Sequence, residues 1–286
     1  MSSPVRLRRL KPRDIPTAHE LRRLAGWNQT ERDWAGFLSF EPEGCVAADV
    51  DGRLVGTATT ITYGRRFGWI GMVLVHPEQR RGGIGTALLG EAIRYLRARG
   101  VAAIKLDATP LGKKVYVPLG FQEEYDLARY EGIAKRMEAT TGDPVQAFTE
   151  SRLAEVIAFD AEIFGATRPK VVTTLSRRNP ELGFVLRRSG AIAGYIIARE
   201  GSNAVQIGPW CASDADAALP LLRSVFRRVA GRQVFVDVPG PNRDGAEMMQ
   251  RLEFTVQRTL TRMYLGENRH PGKPEQTFGV CAPEKG

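Results

Sequence analysis

Cysteine is scarce: Cys45, Cys211 and Cys281 are the only three, and they lie far apart. An odd, scattered set of this kind makes neither a disulfide frame nor a zinc site and suggests reduced thiols in a cytoplasmic protein. Histidine is as rare. His19 and His270 show no metal-ligand spacing, and His76 beside Pro77 reads as structural, so no metal site is expected. No run of about 18 apolar residues occurs, which excludes a membrane-spanning helix. Met1–Arg13 is basic but lacks the apolar stretch of a signal peptide.

Charge of one sign is present in excess without the accessories of nucleic-acid binding. The formal charge is +9, with 22 Lys/Arg against 16 Asp/Glu in residues 1–140. Arg6–Arg13 and Arg22-Arg23 are short clusters without interleaved stacking aromatics, so they read as solvated surface and no nucleic-acid partner is expected. The length suits two domains of about 140 residues. A small, polar stretch at Ala139–Pro144 marks the junction. The expected division is 1–138, a linker at 139–148, and 149–286.

What the chain does have is an anion cradle. An apolar run from Trp69 to Val75 reads as a strand, stopped by Pro77, and Ile84, Leu88 and Ala92 recur at helical spacing. Between them lies Arg80-Arg81-Gly82-Gly83-Ile84-Gly85. Backbone N–H groups at a helix start, added to the helix dipole and two guanidinium groups, suit a pyrophosphate. The Lys-Ser/Thr pair of a Walker loop is missing, and so is the third glycine of a dinucleotide fingerprint.

With Val-His-Pro before it, this segment resembles the acyl-CoA signature of the GNAT superfamily of N-acetyltransferases, Arg/Gln-x-x-Gly-x-Gly/Ala. About thirty residues on, Asp107 to Phe121 is similar to the family's second signature. Tyr116 stands at its tyrosine position, Leu119-Gly120-Phe121 closes it, and Thr109 replaces a common asparagine. Residues 149–286 repeat the element order more weakly. Pro241–Phe254 mirrors the 109–121 segment, with Met249 at the tyrosine position and Glu253 at the glycine position. Ile207–Asp216 replaces the cradle with two carboxylates and no arginine. The resemblance therefore implies an α/β (α+β) protein of two tandem GNAT-like domains, each a mixed, mostly antiparallel sheet flanked by helices. The second is degenerate.

The resemblance also implies roles. Acetyl-CoA is the co-substrate, with no metal. The amides of Arg81, Gly82, Gly83, Ile84, Gly85 and Thr86 hold its pyrophosphate together with Arg80, and Met72, Val73, Leu74 and Val75 pair with its pantetheine arm, near Thr109. Tyr116 protonates the leaving thiolate. Asp107, at the end of the fifth strand, is the candidate for binding or deprotonating the amine. Trp27, Asp33 and Trp34 are candidates for the acceptor channel, although tryptophans seven apart more often belong to a core. The expected acceptor is a small-molecule primary amine, and the protein is expected as a monomer or homodimer without a membrane partner. Rival readings are a non-catalytic acyl-CoA sensor and an acetyltransferase for protein lysines or N-termini.

Overall fold

The computed structural model describes residues 4–138 and 145–286. The first half runs β1 (Arg6–Arg9), α1 (Ile15–Leu24), α2 (Glu31–Phe40), β2 (Val46–Val50), β3 (Arg53–Tyr63), β4 (Phe67–Val75), α3 (Ile84–Ala98), β5 (Ala103–Ala108), α4 (Pro110–Tyr116) and β6 (Gln122–Ile133). The second runs β7 (Val145–Ala147), α5 (Leu153–Phe164), α6 (Pro169–Arg178), β8 (Gly183–Arg188), β9 (Ala191–Arg199), β10 (Val205–Ala212), α7 (Ala215–Val229), β11 (Gln233–Pro239), α8 (Arg243–Arg251), β12 (Thr255–Gly266) and β13 (Thr277–Gly279). Residues 139–144 of the expected linker lie outside the described residues. Val145–Ala147 pair with β8, and Phe148 is buried.

Local chemistry explains most element ends. Asp51 and Gly52 both adopt positive φ and close the β2–β3 hairpin, as an Asp-Gly type I′ turn requires. Thr30 and Asp33 form the capping box of α2: Asp33 Oδ2 accepts from the Thr30 N–H at 2.9 Å. Along α3, Ile84, Leu88, Leu89, Ala92, Ile93 and Leu96 are buried at helical spacing, in one cluster with Val46, Ala58 and Ile70 of the sheet. Each such side chain contributes about 1.5–3 kcal/mol of burial.

The strands form a single sheet in the order β1-β2-β3-β4-β5-β12-β6-β11-β10-β9-β8-β7. Only β4–β5 and β10–β11 are parallel pairs; the rest are antiparallel. Each half thus ends on a strand from the other: β12 closes the first half against β5, and β6 closes the second against β11. The two exchanged strands also pair with each other. A core cluster crosses the junction, joining Trp34, Phe37, Phe67 and Trp69 to Val156, Ile163, Val171 and Cys281.

The two parallel pairs are interrupted in the same way. β4 and β5 share only three register pairs, ending at Trp69 and Lys105. β4 then bulges, with Met72 at φ 50°, and stays with β3, while β5 stays with β12. A cleft opens between them. In the second half β10 and β11 part after Ile207 and Val236. There, β13 fills the gap: it pairs with β10, and the Val280 N–H donates to the Asp237 carbonyl at 2.9 Å.

Candidate active site

The open cleft is a cavity of about 710 Å³. Ile70–Val75 form one wall, Leu106, Asp107 and Thr109 the other, and the start of α3 and the face of α4 complete it. Past the bulge, the backbone of β4 on the β5 side has no strand partner, so its polar groups are available to an extended ligand.

The cradle at one end follows from its backbone angles. Arg81 and Gly83 both take positive φ, 66° and 78°, which winds the chain into the N-terminus of α3. Nothing lies within 4 Å of where a Cβ on Gly83 would sit, so the glycine is required for its φ and not for space. The first intrahelical bond runs from the Ala87 N–H to the Gly83 carbonyl at 3.0 Å. The N–H groups of Ile84, Gly85 and Thr86 are therefore the unpaired donors of a helix start. No side chain caps this helix. Arg80 is held by its Nε to the Val75 carbonyl at 3.1 Å. Arg80, Arg81, Gly83, Ile84, Gly85 and Thr86 line the cavity; Gly82 is part of the turn but not of the wall.

The same place in the second half is closed chemically as well as sterically. The Asp214 carboxylate caps α7 by accepting from the Ala217 N–H at 2.8 Å, and it also pairs with Arg188. A phosphate would meet a negative charge there.

Tyr116 lines the cavity from α4. Its ring lies back over Gly112, where an added Cβ would come within 2.9 Å of Cε2 and 3.1 Å of the hydroxyl, and it packs beside Phe121 at 5.9 Å. Burial pushes the phenol up to about 12. It therefore stays protonated and able to donate across the neutral range. The Thr109 hydroxyl accepts from the Gly112 N–H at 3.1 Å and caps α4. Gly112, one turn before Tyr116, is a site feature that the sequence motif did not single out.

Three expected site residues turn out otherwise. Asp107 lines the cavity, but Arg262 of β12 holds both its oxygens, at 2.8 and 2.9 Å. Burial raises this carboxyl in spite of the guanidinium. Fully buried and paired at both oxygens, Asp107 anchors Arg262, which stacks on Trp69 at 4.6 Å, and is not placed to take an amine proton. Trp34 is fully buried in the core at the junction and does not reach the cavity. Asp33 is buried among Lys285 at 3.1 Å, Arg178 at 3.0 Å and the capping box. Burial opposes its charge, but Lys285, Arg199, the Thr30 N–H and Arg178 overcome it and hold Asp33 well below the usual carboxylate range. Trp27 does line the cavity, from the loop before α2 and not from a helical face shared with Trp34.

The remaining wall is built from parts of the chain that sequence motifs did not mark. After β13, residues 280–286 run into the junction. Lys285 is buried, with its carbonyl accepting from the Tyr63 hydroxyl at 2.5 Å, and the Gly286 carbonyl accepts from Arg168 at 2.7 Å. Pro283 and Glu284 of this segment line the cavity, together with Arg258 and Leu260 of β12 and Gln29 of the first half. The loop carrying Gln29 is tied to the second half: the Ser202 hydroxyl donates to the Gln29 carbonyl at 2.7 Å, and the Asn203 N–H donates to Asn28 Oδ1 at 2.9 Å. Among the described residues no group of His, Cys, Asp or Glu could hold a metal ion.

This architecture is that of an acyl-transferring protein, and the comparisons agree. The acetyltransferase (GNAT) family model matches residues 13–121 and an acetyltransferase (GNAT) domain model matches residues 156–279. Between them they account for well over half of the sequence, and the chain belongs to the GNAT superfamily as a tandem, two-domain member. Proteins of this family use acetyl-CoA. A curated relative, the holothin acyltransferase of Pseudoalteromonas sp. (strain SANK 73390), is 26% identical over 243 residues, covering 85% of this chain and 80% of its own. A Pyrococcus horikoshii structure assigned as an acetyltransferase superposes with a TM-score of 0.84 at 24% identity, covering 99% of this chain and 96% of its own. A tandem GNAT protein from the clavulanic acid biosynthesis pathway superposes with a TM-score of 0.64 at 17% identity, covering 92% and 98%.

Proposed function

We propose that the protein is an acetyl-CoA-dependent N-acetyltransferase acting on a primary amine of a small molecule. One observation carries the reading: a free strand edge, an uncapped helix start and a protonated phenol meet in one cavity. The acetyl-CoA donor supplies an activated acyl group. The N–H groups of Ile84–Thr86, with Arg80 and Arg81, bind its pyrophosphate, and the edge of Met72–Val75 aligns its arm. Tyr116 donates its phenolic proton to the departing sulfur, a step for which a raised pKa keeps the acid loaded.

Small size of the acceptor is supported by the rest of the wall. Residues 283–284, β12 and the Trp27–Gln29 loop border the space an acceptor must enter, which favours a molecule without a protein's flanking backbone. The first half carries the donor site, and both halves build this wall. The absence of a membrane-crossing helix among the described residues suits a cytoplasmic setting. The test is a broad amine screen measuring free thiol released from acetyl-CoA. Amine-dependent release that disappears in Tyr116→Phe supports the reading; thiol release independent of any amine, or none across the screen, removes it.

A further inference from the structure

Two buried polar atoms behind the wall of the cavity have no partner, and they are of opposite kind. Gln29 is 5% exposed. Its Nε2 donates to Glu284 Oε2 at 2.7 Å, an orientation forced by a carboxylate that can only accept. This leaves Gln29 Oε1 buried and unpartnered, an acceptor in want of a donor. On the facing strand, Arg258 Nε is buried and unpartnered, a donor in want of an acceptor. Both residues line the cavity.

The charges around them do not balance. Arg258 makes no ion pair among the described residues. Its neighbour across the β12–β6 ladder is another cation, Arg129, which takes Asp237 bidentately at 2.8 and 2.7 Å. The nearby Glu284 is held by Lys285 at 2.5 Å and by Gln29, with Arg199 at 3.7 Å, and Asp33 is held by Lys285 and Arg178. Every carboxylate within reach is already paired with another cation. Burial, and next the Arg129 charge, pull the Arg258 guanidinium down to about 10. A half-buried cation left without an anion on a cavity wall is costly to the empty protein.

Glu284, with Gln29 bonded to it, packs directly against Gly71 at the bulge of β4, beside the strand edge where the donor arm would lie. Arg258 lies on β12 before the ladder with β5 begins at Thr261, near enough to Glu284 to feel its charge. Neither orphan atom has surface open to the cavity, so a ligand meets the Glu284 carboxylate that Gln29 fixes and the outer nitrogens of the Arg258 guanidinium. An acceptor lying between them needs a cationic group for the one and an anion for the other.

We infer that the acceptor bears a carboxylate as well as its amine, with the Glu284 carboxylate, held in place by Gln29, receiving the ammonium group and Arg258 receiving the carboxylate. This rests on the amine-acetylation reading above. Glu284 then binds the amine in its resting, protonated form, which must give up a proton to solvent before its nitrogen attacks the thioester, and Arg258 selects for amino acids over plain amines.

The experiment compares matched pairs: α-, β- and γ-amino acids, each with its carboxamide. Thiol release gives turnover, and calorimetry on the CoA-loaded protein gives binding. The wild-type protein is expected to prefer at least one acid over its amide by about tenfold or more in kcat/KM, expressed in KM. Arg258→Gln is expected to bring that ratio close to one, with Arg258→Lys restoring part of it. CoA affinity of each variant, measured alongside, reports an intact fold. Should Arg258→Gln fail to bind CoA, Gln29→Met provides the second reading, raising KM for acids and amides alike. Equal use of acids and amides by the wild type, or a preference that survives in Arg258→Gln, overturns the inference while leaving acetyl transfer in place. Acids that bind with no thiol released overturn acetyl transfer and leave the carboxylate subsite standing. Neither binding nor release overturns both.

Discussion

Gly71 of β4 and Glu284 touch backbone to backbone. A Cβ on Gly71 would lie 2.6 Å from the Glu284 Cβ and 2.7 Å from its carbonyl oxygen. Real Cβ atoms do not approach so closely, and the Glu284 Cβ and main-chain atoms they would meet cannot swing aside. Gly71→Ala is therefore expected to displace residues 283–285 from the cavity. The cost is about 1–3 kcal/mol of stability by overpacking, together with a rise in acceptor KM larger than any change in acetyl-CoA affinity. Denaturant melts and two-substrate kinetics check both.

Gly83→Glu places a carboxylate at the start of α3 in a left-handed backbone position. Acetyl-CoA affinity is expected to fall by at least about a hundredfold, since the change removes part of an anion site and adds a like charge. Gly83→Ala separates the two effects. It should cost roughly 1–2 kcal/mol of stability through its φ and keep most of the affinity. Calorimetry with acetyl-CoA decides, and normal affinity in Gly83→Glu would end the cradle assignment.

Tyr116→Phe is expected to lower kcat by about 10²–10⁴-fold with acetyl-CoA binding unchanged. The phenol is active in its protonated form, and burial holds it up to about 12. Activity owed to it is thus complete at neutral pH and lost only as pH rises through about 12. A descending limb of kcat near pH 8 or 9 would have to come from another group. Gly112→Ala, which crowds the same ring, should show a smaller loss of the same kind.

Asp107→Asn tests the anchor role against the base role. If Asp107 is an anchor, its replacement leaves the buried Arg262 with Tyr125 but without its charged partner, so stability should fall by about 3–5 kcal/mol. Asp107→Asn/Arg262→Met should recover much of that loss. If Asp107→Asn instead melts normally and loses turnover, the carboxylate is acting on the amine.

The three cysteines are buried and free. Burial raises Cys45 and Cys211 from 9.0 to about 12 and raises Cys281 as well. Native protein at pH 8 should therefore leave all three unmodified by a thiol reagent, and denatured protein should expose all three. A folded pKa above the unfolded one also sets a sign for stability. The thiol contribution is fully present below pH 9 and is lost as pH rises through about 12. Melting temperatures should decline over that window.

Motifs marked the proposed donor half of the cavity and not its proposed acceptor wall. A phosphate cradle is local: its glycines, arginines and helix start are consecutive residues, so one stretch of sequence contains the whole device. Tyr116 was legible for the same reason. The acceptor wall is assembled from Gln29 of the first half and Arg258 and Glu284 of the second, more than two hundred residues away in sequence and brought together by the strand exchange and by bonds such as Gln29 to Glu284. Nothing near Arg258 in sequence tells that its cross-strand neighbour is Arg129 and that Asp237 is already taken. Asp33 misled by its type: a carboxylate near an expected channel belongs to a buried ion cluster completed by Lys285. The place of the late strand Thr277–Gly279 in the emptied cleft of the second half depends on tertiary geometry alone.

The exchange of strands has a consequence for how the protein is made. Synthesis delivers the cradle, α3 and Tyr116 early, but β12 and Glu284 lie among residues 255–284 and emerge much later. A growing chain released after residue 138 would hold every donor motif while β5 lacked its neighbour and the acceptor wall did not yet exist. The first half must wait for the second, so the ribosome hands over an inactive intermediate until nearly all of these 286 residues have been translated.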